Sequence, residues 1–324
     1  MKINTRTNLL LAAILLPSCI VVIACSSTKS AETSVNAATQ TQPQPKAQQD
    51  LDKQRQTTQQ QVQPEVENQR KQVEEEGKKS LDQDAIVAIN DTQKAIDAIA
   101  AGKSDQALAA IEEATGKINI LVARNPATAF IPVSLAVDII DVAPHDTKAI
   151  RKVALDATAA VGAKDYPTAR VILYSLTSEI RSRTFNLPLA TYPDALKEAA
   201  RLLDQKKNQE ASNVLLTALN TLVVVDKVTP LPLVLSREAL RAAKEESQKD
   251  KATAEILVQT AKNELERSKE LGYAARDPEY TALNTDIASL EKQLKGNQDP
   301  TAVFAKLEDK LSSFLKRQSG QERR

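Results

Sequence analysis

Apolar residues recur along this chain at steps of three and four, and only a helix gathers such a spacing onto one side. Leu81, Ala85, Ile89, Thr92, Ile96 and Ile99 form one stripe. After the polar turn Gly102-Lys103-Ser104-Asp105 a second runs through Ala107, Ile111, Ala114, Ile118 and Leu121. Two such helices and a polar turn predict an antiparallel hairpin. The unit returns three times. Asp146 reads as the N-cap of a helix bearing Ile150, Val153, Ala157 and Ala160, and its partner carries Ala169, Leu173, Leu176 and Ile180. A third copy places Ala195, Ala199 and Leu202 before Ala211, Leu215, Ala218 and Leu222. A fourth places Leu235, Ala239 and Ala243 before Ala254, Val258, Ala261 and Leu265. The alanines that open each second helix, Ala107, Ala169, Ala211 and Ala254, lie 62, 42 and 43 residues apart, a period of about 42 with an insertion after the first unit. The expected fold is mainly α, with antiparallel helical hairpins stacked so that each hides its stripe against the next.

Three segments interrupt the helices: Ala129–Val133 through Asp138–Val142, Arg183–Leu189, and Val223–Val225 through Leu231–Leu233. Each sets β-branched or aromatic residues near a proline, which favours extended backbone. They either pair into a small sheet or clasp, or remain three separate extended connections. Two further helices are expected after Leu271-Gly272-Tyr273, with stripes Leu283–Leu294 and Val303–Leu315.

The N-terminus has a different logic. Lys2 and Arg6 precede an apolar run, Leu9–Leu16, that Val21–Ile23 extends beyond Pro17-Ser18. That is the layout of a secretory signal, too short and broken for a membrane span. Val22-Ile23-Ala24-Cys25 fills each position of a bacterial lipobox, so Cys25 is the predicted lipidation site, with membrane lipid as its partner. Cys19 is a weaker candidate because Pro17 lies two residues before it, and cleavage after Ala24 without lipidation is the plain alternative. Ser26, where Asp would signal inner-membrane retention, favours the outer membrane facing the periplasm. Residues 1–24 are therefore expected to be the signal, and 25–63 the lipidated cysteine with a disordered Gln- and Pro-rich tether. As a coil the tether would reach roughly 30–40 Å. Pro64 suits a helix start, and Glu65–Glu76, polar nearly all round, predicts an exposed first helix. Residues 64–318 make the helical domain, and 319–324 a disordered tail.

Composition removes most chemistry. Both cysteines lie at or before the cleavage site, so no disulfide is expected in the mature chain. His145 is the one histidine; zinc sites need three or four ligands, and a Ser–His–Asp triad is improbable, so no metal, cofactor or catalytic residue is assigned. His145 itself, between Pro144 and Asp146, reads as a loop residue beside an N-cap, with pH sensing as the sharper alternative. Glu179, near Arg181 and Arg183, reads as half of a helix-end ion pair. Formal net charge is +1, and loss of Lys2 and Arg6 leaves −1; with 3% aromatics the chain lacks the field and stacking platforms nucleic acid needs.

Several short motifs resemble the YfdX family of bacterial envelope proteins. They are Ala107–Ile118, Ala169–Leu189 with Ser178-Glu179-Ile180 and Asn186-Leu187-Pro188-Leu189, Tyr192-Pro193-Asp194-Ala195-Leu196, Leu219–Leu222, Pro230-Leu231-Pro232-Leu233, and Leu271-Gly272-Tyr273, spread over about residues 80 to 318. The resemblance implies a mostly helical, homo-oligomeric exported protein associated with stress and acid response, without enzymatic activity. It suggests chaperone-like or small-molecule-binding behaviour. The lipobox and long spacer set this chain apart from the simplest members and argue against free diffusion. The expectation is a lipid-anchored, non-enzymatic scaffold or chaperone-like module with envelope protein clients; the alternative is a small-molecule binder using a cleft between hairpins.

Overall fold

The structure, a computed structural model, describes residues 46–273, 275–296, 299–319 and 321–323. The predicted signal, Cys25 and the first half of the expected tether lie outside the described residues. The four hairpins form as expected: α2 (Gln83–Ala100) with α3 (Ser104–Arg124), α4 (Thr147–Gly162) with α5 (Tyr166–Tyr174), α6 (Tyr192–Asp204) with α7 (Asn208–Asn220), and α8 (Leu231–Glu246) with α9 (Lys251–Glu270). Three of them turn alike. Gly102, Lys164 and Lys206 each take a left-handed conformation (φ 71°, 61° and 59°). In each turn the next residue's N–H reaches back to a carbonyl of the last helical turn: Lys103 to Ala98, Asp165 to Ala160, Lys207 to Leu202. Asp146 caps α4 by accepting from the Lys148 N–H, as expected, and Asp165 and Asp250 cap α5 and α9.

The proline-containing segments pair into one antiparallel sheet in the order β1 (Phe130–Asp141), β2 (Ser178–Pro188), β3 (Val223–Pro230), with the short β4 (Gln321–Arg323) beside β3. Two details differ from expectation. Strand β2 begins at Ser178, so Ile180 faces Ile139 across the sheet instead of completing a helix. Leu231-Pro232-Leu233 opens α8, because proline is well placed in a first helical turn.

The hairpins do not stack in sequence. The first packs on the third, α3 on α6 and α2 on α7. Their stripes, with Ile131, Val133, Leu187 and Leu189 from one end of the sheet, form a single core. A second core joins α8 and α9 to α1 (Lys46–Lys78), α10 (Glu279–Lys295) and α11 (Thr301–Gln318), with Ile180 and the partly buried Val137 and Ile139 from the other end of the sheet. The strands thus tie two cores together. Each fully buried Leu or Ile contributes about 1.5–3 kcal/mol, so these cores outweigh the many exposed ion pairs.

Helix α1 departs from expectation twice. It begins at Lys46, so residues 46–63 of the expected tether are helical, in keeping with the good helix propensity of Gln, Lys and Ala. It is also not wholly exposed, because Val62 and Val66, one turn apart, are buried in the second core. Its far end passes so close to β1 that a Cβ on Gly77 would lie 2.6 Å from a methyl of the Leu135 side chain, which would have to shift to admit it.

The second hairpin stands apart from this packing. Helix α4 makes its main outside contact with α9, where Arg151 Nε and Nη2 donate to Glu270 at 2.9 and 2.8 Å. In the other hairpins the alanine and the two following stripe positions are buried. Here Leu173 is 54% exposed, Leu155 69% and Val171 71%, and Tyr166, Val161 and Tyr174 are exposed beside them.

Candidate functional site

A cavity of about 390 Å³ lies where the second core meets the end of β1. Helix α9 presents Thr260, Asn263 and Glu264 to it at i, i+3 and i+4, with Arg267 one turn further on the same face. Helix α8 supplies Leu231 and Leu235, α1 supplies Val62, Gln63 and Val66, and β1 supplies Ile139 and Asp141. The chain then runs through His145 and Asp146 into α4, closing the wall.

Arg267 holds these parts in register. It is 1% exposed, yet every side of its guanidinium is engaged. Nη2 donates to Asp141 Oδ1 at 2.7 Å and to the Ala143 carbonyl at 2.9 Å; Nε donates to the Pro144 carbonyl at 3.1 Å; Nη1 donates to Glu264 Oε2 at 3.2 Å. One fork therefore fixes the end of β1, the connection into α4 and the face of α9, a task for which the flat guanidinium is suited and a lysine is not. Asp141 Oδ1 also accepts from Ser178 Oγ at 2.8 Å. Beside it the buried Glu179 accepts from Arg181 Nε at 2.8 Å and from the Tyr273 hydroxyl at 3.1 Å, and that hydroxyl accepts the Ser178 N–H. Gly272, at φ 87°, turns the chain after α9 so that Tyr273 reaches the sheet.

Glu264 is 15% exposed on its side chain, and His145 Nδ1 lies 3.9 Å from its Oε1. Burial raises the Glu264 carboxyl above the ordinary carboxylate value, against the pull of Arg267; the charge of Asp141 adds to the rise. A carboxyl raised by folding stabilises the fold fully below its unfolded value, and that contribution is lost as pH climbs through the raised one. Glu264→Gln keeps an acceptor for Arg267 but cannot ionise. Urea unfolding between pH 4 and pH 7.5 is expected to show a smaller loss of stability with rising pH in this variant than in the wild type. An unchanged slope would mean that Glu264 is not the group responsible.

The residues singled out in the sequence fall as follows. His145 sits in the loop before the α4 cap, as expected, but on the cavity wall and beside Glu264. Glu179 does pair with Arg181, but from the sheet and not from a helix end, because β2 starts before it; Arg183 pairs with Asp226 of β3 instead. Cys25 lies outside the described residues. Glu264, Arg267 and Asp141 were not visible as a site. Glu264 and Arg267 flank the apolar stripe of α9 and look like solvated positions, and the partners of Arg267 on β1 and the α4 connection are more than 120 residues away. Among the described residues no group of three His, Cys, Asp or Glu side chains is placed to hold a metal ion.

Comparison with known proteins places the middle of the chain. No curated protein matches it. A solved structure of Salmonella Typhi YfdX aligns with 47% of this chain and 93% of its own, at 15% identity and a TM-score of 0.32. The YfdX protein family model matches residues 88–228, a shorter span than the motifs had suggested, running from within α2 to within β3. It takes in the first core, most of the sheet and the outlying hairpin, while α1 and α8–α11, which supply much of the cavity wall, lie beyond it. Over residues 88–228 this chain is similar to the YfdX family.

Proposed function

We propose that this protein is a non-enzymatic, lipid-anchored envelope scaffold, associated with acid or envelope stress, that works by assembling with further copies of itself at the membrane. One observation carries the reading: among the described residues, nothing covers the apolar face of the α4–α5 hairpin. The internal repeat says what such a face is for. Stripe positions equivalent to Leu173 are Ile111, Leu215 and Val258, all buried against helices of this chain. The first and third hairpins cover one another and the fourth is covered by α1, α10 and α11, so the second is left without a matching hairpin. Helices of 16 and nine residues are marginal when so little of them is packed. The covering unit that best fits is the α4–α5 hairpin of a second copy, related by a two-fold axis so that each stripe meets its own kind.

Sedimentation velocity tests this directly. Wild type at micromolar concentration is expected to run as a dimer or larger. Val171→Glu or Leu155→Glu is expected to reduce it to monomer, since an unpaired charge would have to be buried in the contact. Both side chains are exposed in the single chain, so the substitutions leave the fold intact and the change in mass reports the contact alone. A wild type that stays monomeric, or variants that assemble like it, would refute the reading. Suppression of client aggregation by a monomeric wild type would favour a holdase instead.

A second reading, a small-molecule-binding envelope protein, is supported by the cavity at the end of β1, whose volume falls in the range of ligand pockets.

A further inference from the structure

The two walls of the β1 cavity differ in chemistry. One is hydrocarbon: Val62 and Val66 of α1, Ile139 of β1, Leu231 and Leu235 of α8. The opposite wall carries four carboxylates, Asp141, Asp146, Glu264 and Glu266, with His145 among them, and among the described residues neither a lysine nor an arginine lines the space. Two arginines lie around this wall, and both are already paired. Arg267 lies behind it and divides its guanidinium between Asp141, Glu264 and two carbonyls. Arg151, near Asp146 and Glu266, is bound through two nitrogens to Glu270. The positive end of α4 opens at the same wall, and Asp146 caps it by accepting the Lys148 N–H. Four carboxylates therefore stand against one buried guanidinium and a helix end, and the wall is negative.

Such a space selects its occupant by charge and shape. An anion would meet like charge. A wholly apolar molecule would fill the hydrocarbon side but strip water from carboxylates without replacing it, which costs free energy. A molecule with a cationic head and an apolar body satisfies both walls at once. We propose that this cavity binds an amphipathic organic cation, an ammonium group carried on a hydrocarbon body, with the head at the wall of Asp141, Asp146, Glu264 and Glu266 and the body against Val62, Ile139 and Leu231. The proposal rests on the small-molecule reading above and adds the class of ligand. The cavity joins Ile139, Asp141, His145 and Asp146, inside residues 88–228, to α1, α8 and α9, which lie outside them.

Titration calorimetry with three probes of equal chain length tests it: octylammonium, octanol and octanoate, each below its micellar concentration. Octylammonium is expected to bind the full chain at one site, at least tenfold more tightly than octanol, with octanoate weaker still. Raising the salt concentration should weaken octylammonium and leave octanol unchanged. Glu266→Gln, a change at an exposed position that does not threaten the fold, should weaken octylammonium several-fold, and Glu264→Gln with Glu266→Gln at least tenfold, with octanol again unaffected. Asn263→Trp, at an exposed position on the cavity wall, should block all binding here. If octanol or octanoate binds as tightly as octylammonium and Asn263→Trp abolishes it, the cationic class is wrong and the small-molecule reading stands. If none of the probes binds, or if binding survives Asn263→Trp, the cavity is not their site and both fall.

Discussion

Arg267→Ala is expected to cost about 3–5 kcal/mol of stability, the range for removing one partner of a buried ionic network. The size follows from what the change would leave behind. Asp141 and Glu264 would face each other without a cation between them, and the carbonyls of Ala143 and Pro144 would lose their donors in a site that water reaches poorly. For a chain of this size the melting point should fall by on the order of 10 °C. Arg267→Lys separates charge from geometry. It keeps the cation but cannot bridge β1, the α4 connection and α9 together, so it should recover roughly half of the loss. Differential scanning calorimetry on the three proteins at pH 7 decides the matter. A loss below about 1 kcal/mol for the alanine variant would show that the network breaks even with its desolvation and does not hold the fold. The fork also anchors the connection between β1 and the outlying hairpin. Arg267→Ala should therefore loosen α4 and α5 first, seen as faster amide exchange there than in the first core.

What the sequence made legible was whatever depends on neighbours within a few turns. The stripes of α2, α3, α6, α7 and α9 are buried nearly residue for residue, because three- and four-residue spacing is itself the geometry of a helix face. Asp146 could be placed as a cap for the same reason. The start of β2 was not legible: Ile180 lies four residues beyond Leu176, so it fits a helical stripe as well as a strand, and only its pairing with Ile139 and Thr229 decides between them. Leu231-Pro232-Leu233 misled in the opposite direction, since proline stops one helix and starts another equally well. Val62 and Val66 stand among polar residues, yet both are buried in the second core. The order of packing was hidden too. A repeat with a regular period suggests a stack, whereas here the sheet folds the first hairpin onto the third and leaves the second outside. The cavity was the least visible part, because Asp141 reaches Arg267 and Glu264 of α9 only through a contact 126 residues long in sequence.

Cys25→Ala is expected to abolish incorporation of labelled palmitate and to move the protein from the membrane fraction to the soluble fraction, an all-or-none change. Among the described residues no helix is long and apolar enough to cross a membrane. Lipidation at Cys25 would supply two or three acyl chains, each buried methylene contributing about 0.8 kcal/mol, where a single chain would bind only marginally. Retained palmitate in the variant would exclude Cys25 as the site, and Cys19→Ala would then show whether the other cysteine carries the lipid. The same variant bears on assembly. Lipid tethering would confine copies to a plane and raise their effective concentration, so the proposed contact between α4–α5 hairpins would be strengthened without any new interaction. Crosslinking in intact cells should therefore fall in Cys25→Ala even though its α4–α5 face is unaltered, and should fall further in Val171→Glu with the anchor in place. If crosslinking in Val171→Glu equals that of the wild type while palmitate is still incorporated, the anchor serves only to locate the protein, and the exposed hairpin has another occupant.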